Sequence, residues 1–268
     1  MTILLIGCGR MGGALARRWS SGERVMAFDP DATLPDGVER VANLDDVSGE
    51  SDLVVVLAVK PQTFPALAPA LRRVADCRPL ILSIMAGVPL SALAAPFGGS
   101  GRVVRAMPNT PAAIGRGISG LVAGQAVSSA DRDRAGGLLG AVGEVVWLAT
   151  EGDIDLVTAI SGSGPAYVFR MTEALAAAGV RLGLAEPVAT RLASATLTGA
   201  AALVEAESCA LADLRRQVTS PGGTTAAGLA QMDEDAGIDD LMARVAQAAA
   251  RRSVELADQG VNLVNDPD

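Results

Sequence analysis

Short apolar runs, set apart by turn residues, dominate the first 150 positions of the chain. Seven of them read as strands: Thr2–Ile6, Arg24–Phe28, Leu53–Ala58, Leu80–Ile84, Arg102–Met107, Ile118–Gly124 and Val145–Ala149. Several are apolar at nearly every position, the pattern of parallel strands covered on both faces. Helix-period stretches separate many of them, over Met11–Ser21, Thr63–Ala75 and Ser129–Ala141. This alternation predicts a doubly wound α/β sheet over residues 1–150. From Thr150 the strands stop. An apolar spacing near 3.6 runs through GDIDLVTAI, PAYVFRMTEALAAAGV, EPVATRLASATLTGAAALVEAE and IDDLMARVAQAAARRSVELADQG, predicting an all-helical region over 151–268. Pro165 and Pro187 suit first helical turns, and Gly260 suits the close of the last helix. The tail VNLVNDPD is expected to fray. Much of this half is Ala-rich, so its helices can pack closely and are expected to meet a second subunit.

The punctuation of the first half carries chemistry. Gly7, Gly9 and Gly12 stand in G-x-G-x-x-G spacing, with Arg10 and Met11 between them, after one strand and at the opening of a helix. That is the context of a dinucleotide fingerprint in a Rossmann-type sheet. Gly7 allows the tight turn, Gly9 lets a pyrophosphate approach the backbone, and Gly12 lets the helix pack on the sheet. Asp29, 20 residues beyond Gly9, ends the next strand. A carboxylate there accepts from adenosine ribose hydroxyls and repels a 2′-phosphate, favouring NADH over NADPH. The other reading of Asp29 is a cap on the turn DPD. Ala58, Val59, Lys60 and Pro61 follow the third strand, and Ala86 and Gly87 the fourth. Loops at strand C-termini line the ligand crevice of such sheets. RAMPNTPAAIGRG belongs to the same rim, and the bland reading of all these loops is ordinary turn chemistry.

Composition narrows the chemistry. The chain of 268 residues is half hydrophobic, enough for a sizeable core, with a net charge of −8 and 3% aromatics. Without a basic run, a nucleic-acid surface is not expected. The longest apolar stretch, Leu53–Val59, is far short of a membrane span. MTILLIG carries no basic residue before its apolar run, so no secretory signal is expected. Three scattered cysteines, Cys8, Cys77 and Cys209, fit a reducing cytoplasm. There is no histidine, which excludes a Ser-His-Asp triad and a His-based zinc site. Lys60 is the one lysine among 22 basic residues, and it sits where an ammonium would meet a phosphate or ribose.

Two glycine-rich breaks interrupt the helical half. Ser161-Gly162-Ser163-Gly164-Pro165 predicts a kink or helix restart, either for a flat ring to lie against exposed backbone or for a tight helix crossing. The second break is QVTSPGGTT, at 217–225. Gly222 and Gly223 lack Cβ atoms, a helix is expected from about Thr224, and successive free N–H groups there make an anion site. Thr224 and Thr225 add hydroxyl donors, and a small carboxylate suits the place. The plain alternative is an N-capped helix junction.

With these segments in hand, the chain resembles the pyrroline-5-carboxylate reductases over nearly its whole length. LIGCGRMGGALA, LAVKPQ, RAMPNTPA, SGSGPAYVF and QVTSPGGTT occur in the family's order and approximate spacing. The resemblance implies a Rossmann domain, a C-terminal helical dimerisation domain, and an active site near the subunit interface. It implies reduction of the cyclic imine of L-1-pyrroline-5-carboxylate to L-proline with NADPH or NADH, in homodimers or in pentamers of dimers. Carried over, Ser220, Gly222, Gly223, Thr224 and Thr225 would hold the substrate carboxylate, with the Thr225 hydroxyl near the ring nitrogen. Glu151 matches an acidic position near the substrate, and Asn43 a cofactor-contacting asparagine. The family's His-Pro or Ser-Pro before this loop is absent from CALADLRRQ, which leaves the parts of Glu205 and Glu207 open. The missing histidine agrees with the implied chemistry, because a protonated imine needs no strong general acid. A hydroxy-acid dehydrogenase with a catalytic lysine on its helical domain is disfavoured, since no lysine follows Lys60. The rivals are a related cyclic-imine reductase and a non-catalytic dinucleotide-binding sensor or scaffold. The latter would have no use for the TSPGGTT loop.

Overall fold

A computed structural model describes residues 1–47, 49–50, 52–99 and 101–265, except the side chains of 236 and 258–265. It divides into two compact units, 1–163 with 248–268, and 164–247.

The first unit holds a single sheet of eight strands among the described residues: β1 Thr2–Ile6, β2 Arg24–Phe28, β3 Val38–Arg40, β4 Leu53–Leu57, β5 Leu80–Ser83, β6 Arg102–Met107, β7 Gly117–Ala123 and β8 Gly143–Trp147. Their order is β3-β2-β1-β4-β5-β6-β7-β8. Every neighbouring pair is parallel except β6 and β7. Successive side chains of a strand face opposite sides, and both sides are covered. Ile3, Leu5, Val54, Val56, Leu80 and Leu82 pack on one face with Leu15 and Trp19 of α1 (Arg10–Trp19). Leu4, Ile6, Val55, Leu57 and Ile81 pack on the other with Phe64 and Leu71 of α2 (Phe64–Leu71). This double burial is why the strands read as continuous apolar runs.

The sequence-based strand and helix bounds hold to within two residues for most elements. The 63–75 helix is shorter than its pattern: α2 stops at Leu71 and a 3₁₀ stretch, Arg72–Cys77, follows. Pro69 lies inside α2 and removes an N–H from its hydrogen-bond ladder. Two elements lack a legible pattern, β3 of three residues and α3 (Leu90–Ala94) of five. The helix at 129–140, α4, opens on a capping box in which Ser128 and Asp131 bond each other's backbone N–H groups.

The strand-to-helix change at Thr150 does not coincide with the boundary between the compact units. Helix α5 (Asp153–Val157) and the turn after it stay with the sheet, Ile154 and Ala159 being buried there. That turn, Thr158–Gly162, is a π-helix closed by Ser163 N–H donating to Thr158 O at 2.9 Å. The kink expected at Ser161–Pro165 is this turn. A Cβ on Gly162 would lie 2.9 Å from Met107 Cε, so the flexible end of that methionine would have to shift.

The second unit is helical. It holds α6 (Gly164–Arg181), α7 (Glu186–Ala206), α8 (Leu211–Gln217), α9 (Thr224–Asp233) and the first part of α10 (Gly237–Asn265). Pro165 and Pro187 lie in first turns, as expected. Gly260 does not end α10, because one glycine costs a long helix only about 1 kcal/mol. Residues 261–265 of the tail expected to fray continue that helix, and 266–268 lie outside the described residues. Helices α6 and α7 pair with each other, yet Phe169, Leu175, Leu192 and Leu203 each stay more than half exposed. No helix among the described residues is long and apolar enough to cross a membrane.

Candidate active site

The glycine fingerprint forms the first turn of the site. Gly7 has φ +91°, and a Cβ there would meet Ala58 O at 2.9 Å. At Gly12 a Cβ would stand 2.4 Å from Gly7 O. Protein contacts alone require both glycines. Gly9 differs: nothing lies within 4 Å of an added Cβ, and its backbone is ordinary, at φ −70° and ψ −161°. The space in front of Gly9 is what a pyrophosphate would need. Arg10 and Met11 begin α1 and carry the orphan N–H groups of a helix start, where anions are favoured.

Beside this turn lies a cleft of about 320 Å³, lined by Gly7, Phe28, Asp29, Val59, Thr63 and Leu67 among others. Asp29 combines a place in the cleft lining with the turn-capping role. It faces the cleft, and its carboxylate also caps the turn, taking N–H groups of Asp31 and Ala32 at 3.1 Å each. Its other oxygen accepts from Cys8 N–H at 2.7 Å, tying the end of β2 to the fingerprint. Partial burial works against its charge. The three N–H donors and the Arg40 charge outweigh it and hold the carboxyl below its ordinary range. The neighbouring Cys8 thiol is pushed up, by burial first and then by the Asp29 charge. Arg40, on β3, donates to the carbonyls of Asp29 and Ala32. It places a cation beside the acid, a neighbour that sequence reasoning missed because β3 has no apolar pattern.

The remaining rim follows the strand ends. Ala58 N–H bonds Ile6 O at 2.8 Å and Ile84 N–H bonds Leu57 O at 3.0 Å, so the loops after β1, β4 and β5 lie along one sheet edge. Lys60 is exposed, and its carbonyl takes both the N–H and the hydroxyl of Thr63. Pro61 opens the short 3₁₀ turn that follows. Gly87 has φ +70°, and a Cβ there would meet backbone atoms of Leu256 and Ala257 at 3.1 Å. Its need for glycine therefore comes from the last helix; Ala86 beside it is half-buried. Asn43 is not among the residues lining the cleft. Its Oδ1 accepts from Asp45 N–H and from Arg73.

Glu151 is committed within the first unit. Its Oε1 accepts from Leu90 N–H at 2.7 Å and from Arg105 Nη1 at 3.0 Å. Arg105 is 3% exposed. A charge inside the apolar run RVVRAM was its sequence signal. Nearby, Asn109 accepts from Ile118 N–H and donates to Ser161 O, binding the β6–β7 connection to the π-turn.

In the second unit, Ser220-Pro221-Gly222-Gly223 forms a tight turn closed by Gly223 N–H donating to Ser220 O at 3.0 Å. Proline at its second position and Gly222 at its third, φ +69°, are what such a turn demands. Gly223 then begins α9 as an N-cap with no side chain to occupy the helix start. Its carbonyl takes Ala227 N–H, so the N–H groups of Thr224, Thr225 and Ala226 are the orphan donors of α9. Serine 220, Thr224 and Thr225 are exposed. Glu205 lies in the last turn of α7 and Glu207 follows the helix, ahead of the stretch that leads into α8.

A parallel sheet with the dinucleotide fingerprint, followed by a helical region, places the protein in the class of Rossmann oxidoreductases. Known proteins carry the assignment further. The family described as pyrroline-5-carboxylate reductase dimerisation matches residues 151–256, and that described as NADP oxidoreductase, coenzyme F420-dependent, matches residues 2–87. A pyrroline-5-carboxylate reductase from Pseudomonas aeruginosa is 41% identical over 266 residues, covering 96% of this chain and 97% of its own. The structure of a pyrroline-5-carboxylate reductase from Coxiella burnetii superposes with a TM-score of 0.85 at 30% identity, covering 95% of this chain and 98% of its own. That of the Plasmodium falciparum enzyme, solved with NADP bound, gives 0.81 at 26% identity over 96% and 98%. The chain belongs to the pyrroline-5-carboxylate reductase family.

Proposed function

We propose that the protein reduces the cyclic imine of L-1-pyrroline-5-carboxylate to L-proline, the last step of proline biosynthesis, using NADH or NADPH. The observation that carries this reading beyond family membership is the uncapped start of α9, with Gly222 turned to positive φ so that Thr224 and Thr225 present free N–H groups. A small carboxylate fits that place, held by Ser220, Gly222, Gly223, Thr224 and Thr225. The turn glycines have a structural reason as well, since a Cβ on Gly223 would stand 3.2 Å from Ser220 O.

The cofactor site is assigned to Gly7, Gly9, Arg10, Met11, Gly12, Asp29 and the rim Ala58–Pro61 with Ala86 and Gly87. The open space before Gly9 and the cleft beside Asp29 fit such a ligand. When bound, the reduced dinucleotide supplies the hydride. The chain's residues orient the partners, exclude water and leave the imine carbon accessible. The imine nitrogen carries its proton before transfer, so the Thr225 hydroxyl oxygen accepts from that N–H, and the hydroxyl donates to the lone pair that the amine nitrogen gains once hydride has been added. No histidine is needed for that step.

Asp29 favours NADH, and Arg40 offsets its charge enough for NADPH to be accepted. The exposed apolar residues of α6 and α7 support a homodimer, the family resemblance extends this to a pentamer of dimers, and the three free cysteines fit the reducing cytoplasm. Steady-state oxidation of NADH and of NADPH with the pyrroline substrate tests the reading. Turnover with a higher kcat/KM for NADH is expected. Dinucleotide binding without turnover would instead favour a sensor.

A further inference from the structure

We infer that Arg105 and Glu151 form a positioning pair that fixes the loop from Ile84 to Leu90, which carries Ala86 and Gly87 of the cofactor rim assigned above, and that this loop meets the nicotinamide end of the dinucleotide, across the sheet from Asp29. The inference rests on that assignment. It gives Glu151 a different part from the substrate contact implied by resemblance.

The loop is held at both ends and in its middle. At its start, Ile84 N–H bonds Leu57 O at 3.0 Å and Met85 N–H bonds Ser83 Oγ at 3.3 Å. In its middle, Gly87 passes so close to α10 that an added Cβ would be 3.1 Å from its backbone. At its end, Leu90 opens α3, whose N-cap is Pro89, a residue with no side-chain acceptor. A helix start of this kind leaves N–H groups unmet. Glu151, 61 residues away, supplies the missing acceptor.

Arg105 determines which way Glu151 points. Its Cα is the register partner of Ser83, so it rises from β6 beside the strand that feeds the loop. Its guanidinium is buried, and Nε and Nη2 have no partner among the described residues. Glu151 is the carboxylate that meets it, through Nη1 at 3.0 Å. Turning Glu151 toward a substrate would strand a buried cation, which is strongly unfavourable. The carboxylate therefore stays on Leu90 N–H, and the loop stays in register with the sheet edge. Neither residue needs to touch a ligand for this to matter, because misplacement of reacting groups by about 1 Å can cost on the order of 100-fold in rate.

The test uses the full-length enzyme and three ligands. Binding of reduced dinucleotide is followed by nicotinamide fluorescence, binding of ADP-ribose by calorimetry, and turnover with the pyrroline substrate. Glu151→Ala should weaken reduced-dinucleotide binding about tenfold and lower kcat roughly 10- to 100-fold. ADP-ribose reports the adenosine end, near Gly7 and Asp29, and its Kd should stay within about twofold. Glu151→Gln keeps an oxygen for Leu90 N–H and should restore most of both losses. Arg105→Lys keeps the charge but not the reach, and should resemble Glu151→Ala more weakly. An unchanged ratio of the two Kd values in Glu151→Ala would overturn the proposal. So would a Glu151→Gln enzyme whose Kd for reduced dinucleotide matches the parent's while its kcat falls as far as in Glu151→Ala, because the charge itself would then be acting on the substrate. If the parent enzyme bound dinucleotide but did not turn over the pyrroline, the functional reading would fail, while the two Kd values would still decide the pair.

Discussion

Gly9→Ala should separate the needs of a ligand from the needs of the fold. The backbone at Gly9, φ −70° and ψ −161°, is open to any L-residue, and an added Cβ meets no atom within 4 Å. Loss of unfolded-chain freedom stabilises such a substitution by about 0.4–1 kcal/mol. Alanine is a poorer N-cap than glycine, by about 0.5–1 kcal/mol, so these contributions nearly cancel. The melting temperature should therefore move by only a few degrees at most, at about 2–4 °C per kcal/mol for a chain of this size. The pyrophosphate, however, would be pushed off the N–H groups at the start of α1. A hydrogen bond to a charged group contributes about 1.5–3 kcal/mol, and about 1.4 kcal/mol is tenfold in Kd. Dinucleotide affinity should thus fall on the order of 10- to 100-fold. Gly12→Ala is the contrasting variant. Its Cβ would lie 2.4 Å from Gly7 O, so the backbone must move, and overpacking of this kind costs about 1–3 kcal/mol. It should lose stability and affinity together. Fluorescence titration with NADH and a thermal melt on the same samples read out both quantities. A stably folded Gly9→Ala protein with the parent's Kd would refute the assignment of the phosphate site.

Three further outcomes are expected. Thr225→Ala removes one exposed hydroxyl and should lower kcat/KM about 10- to 100-fold; the loss should fall mainly on kcat if the hydroxyl serves the ring nitrogen. Asp29→Ser should raise kcat/KM for NADPH relative to NADH, because a like charge near the 2′-phosphate is removed; an unchanged ratio in steady-state assays would remove Asp29 from cofactor selection. The Asp29 carboxyl titrates below its ordinary value in the folded protein. Its contribution is complete above the unfolded value near pH 4 and is lost as pH falls through the lower folded value, so acid denaturation followed by circular dichroism should show a shallower pH dependence in Asp29→Asn.

What could be read from the chain depended on how far the deciding contacts lay apart. The apolar strands announced themselves because both faces of the sheet are buried, and Gly7, Gly9 and Gly12 because one turn and the open space before it place all three within six positions. The turn at 220–223 was equally local, with Pro221 and Gly222 fixing its shape. Strand β3 escaped because Glu39 and Arg40 are exposed and its three residues carry no period. The Arg105–Glu151–Leu90 arrangement escaped because its partners are 46 and 61 residues apart. Gly87 was legible as part of the loop rim, but the contact that crowds it was not, since that backbone arrives 169 residues later, at Leu256. The change of pattern at Thr150 marked where strands end. It could not mark where the compact unit ends, because that depends on Ile154, Ala159 and a returning helix.

That return has a consequence for how the enzyme is made. The sheet-bearing unit is written in two parts, and Ser253 Oγ reaches Asp155 Oδ1, 98 residues earlier, at 2.6 Å. A ribosome adds about 5–20 residues per second, so roughly 5–20 s separate the two partners at synthesis. Throughout that interval the helical segment emerges while the cofactor unit still lacks its last piece, and the loop around Gly87 has no cover. A product cut short before residue 248 would contain all eight strands and the whole glycine fingerprint, yet its dinucleotide domain would remain unclosed.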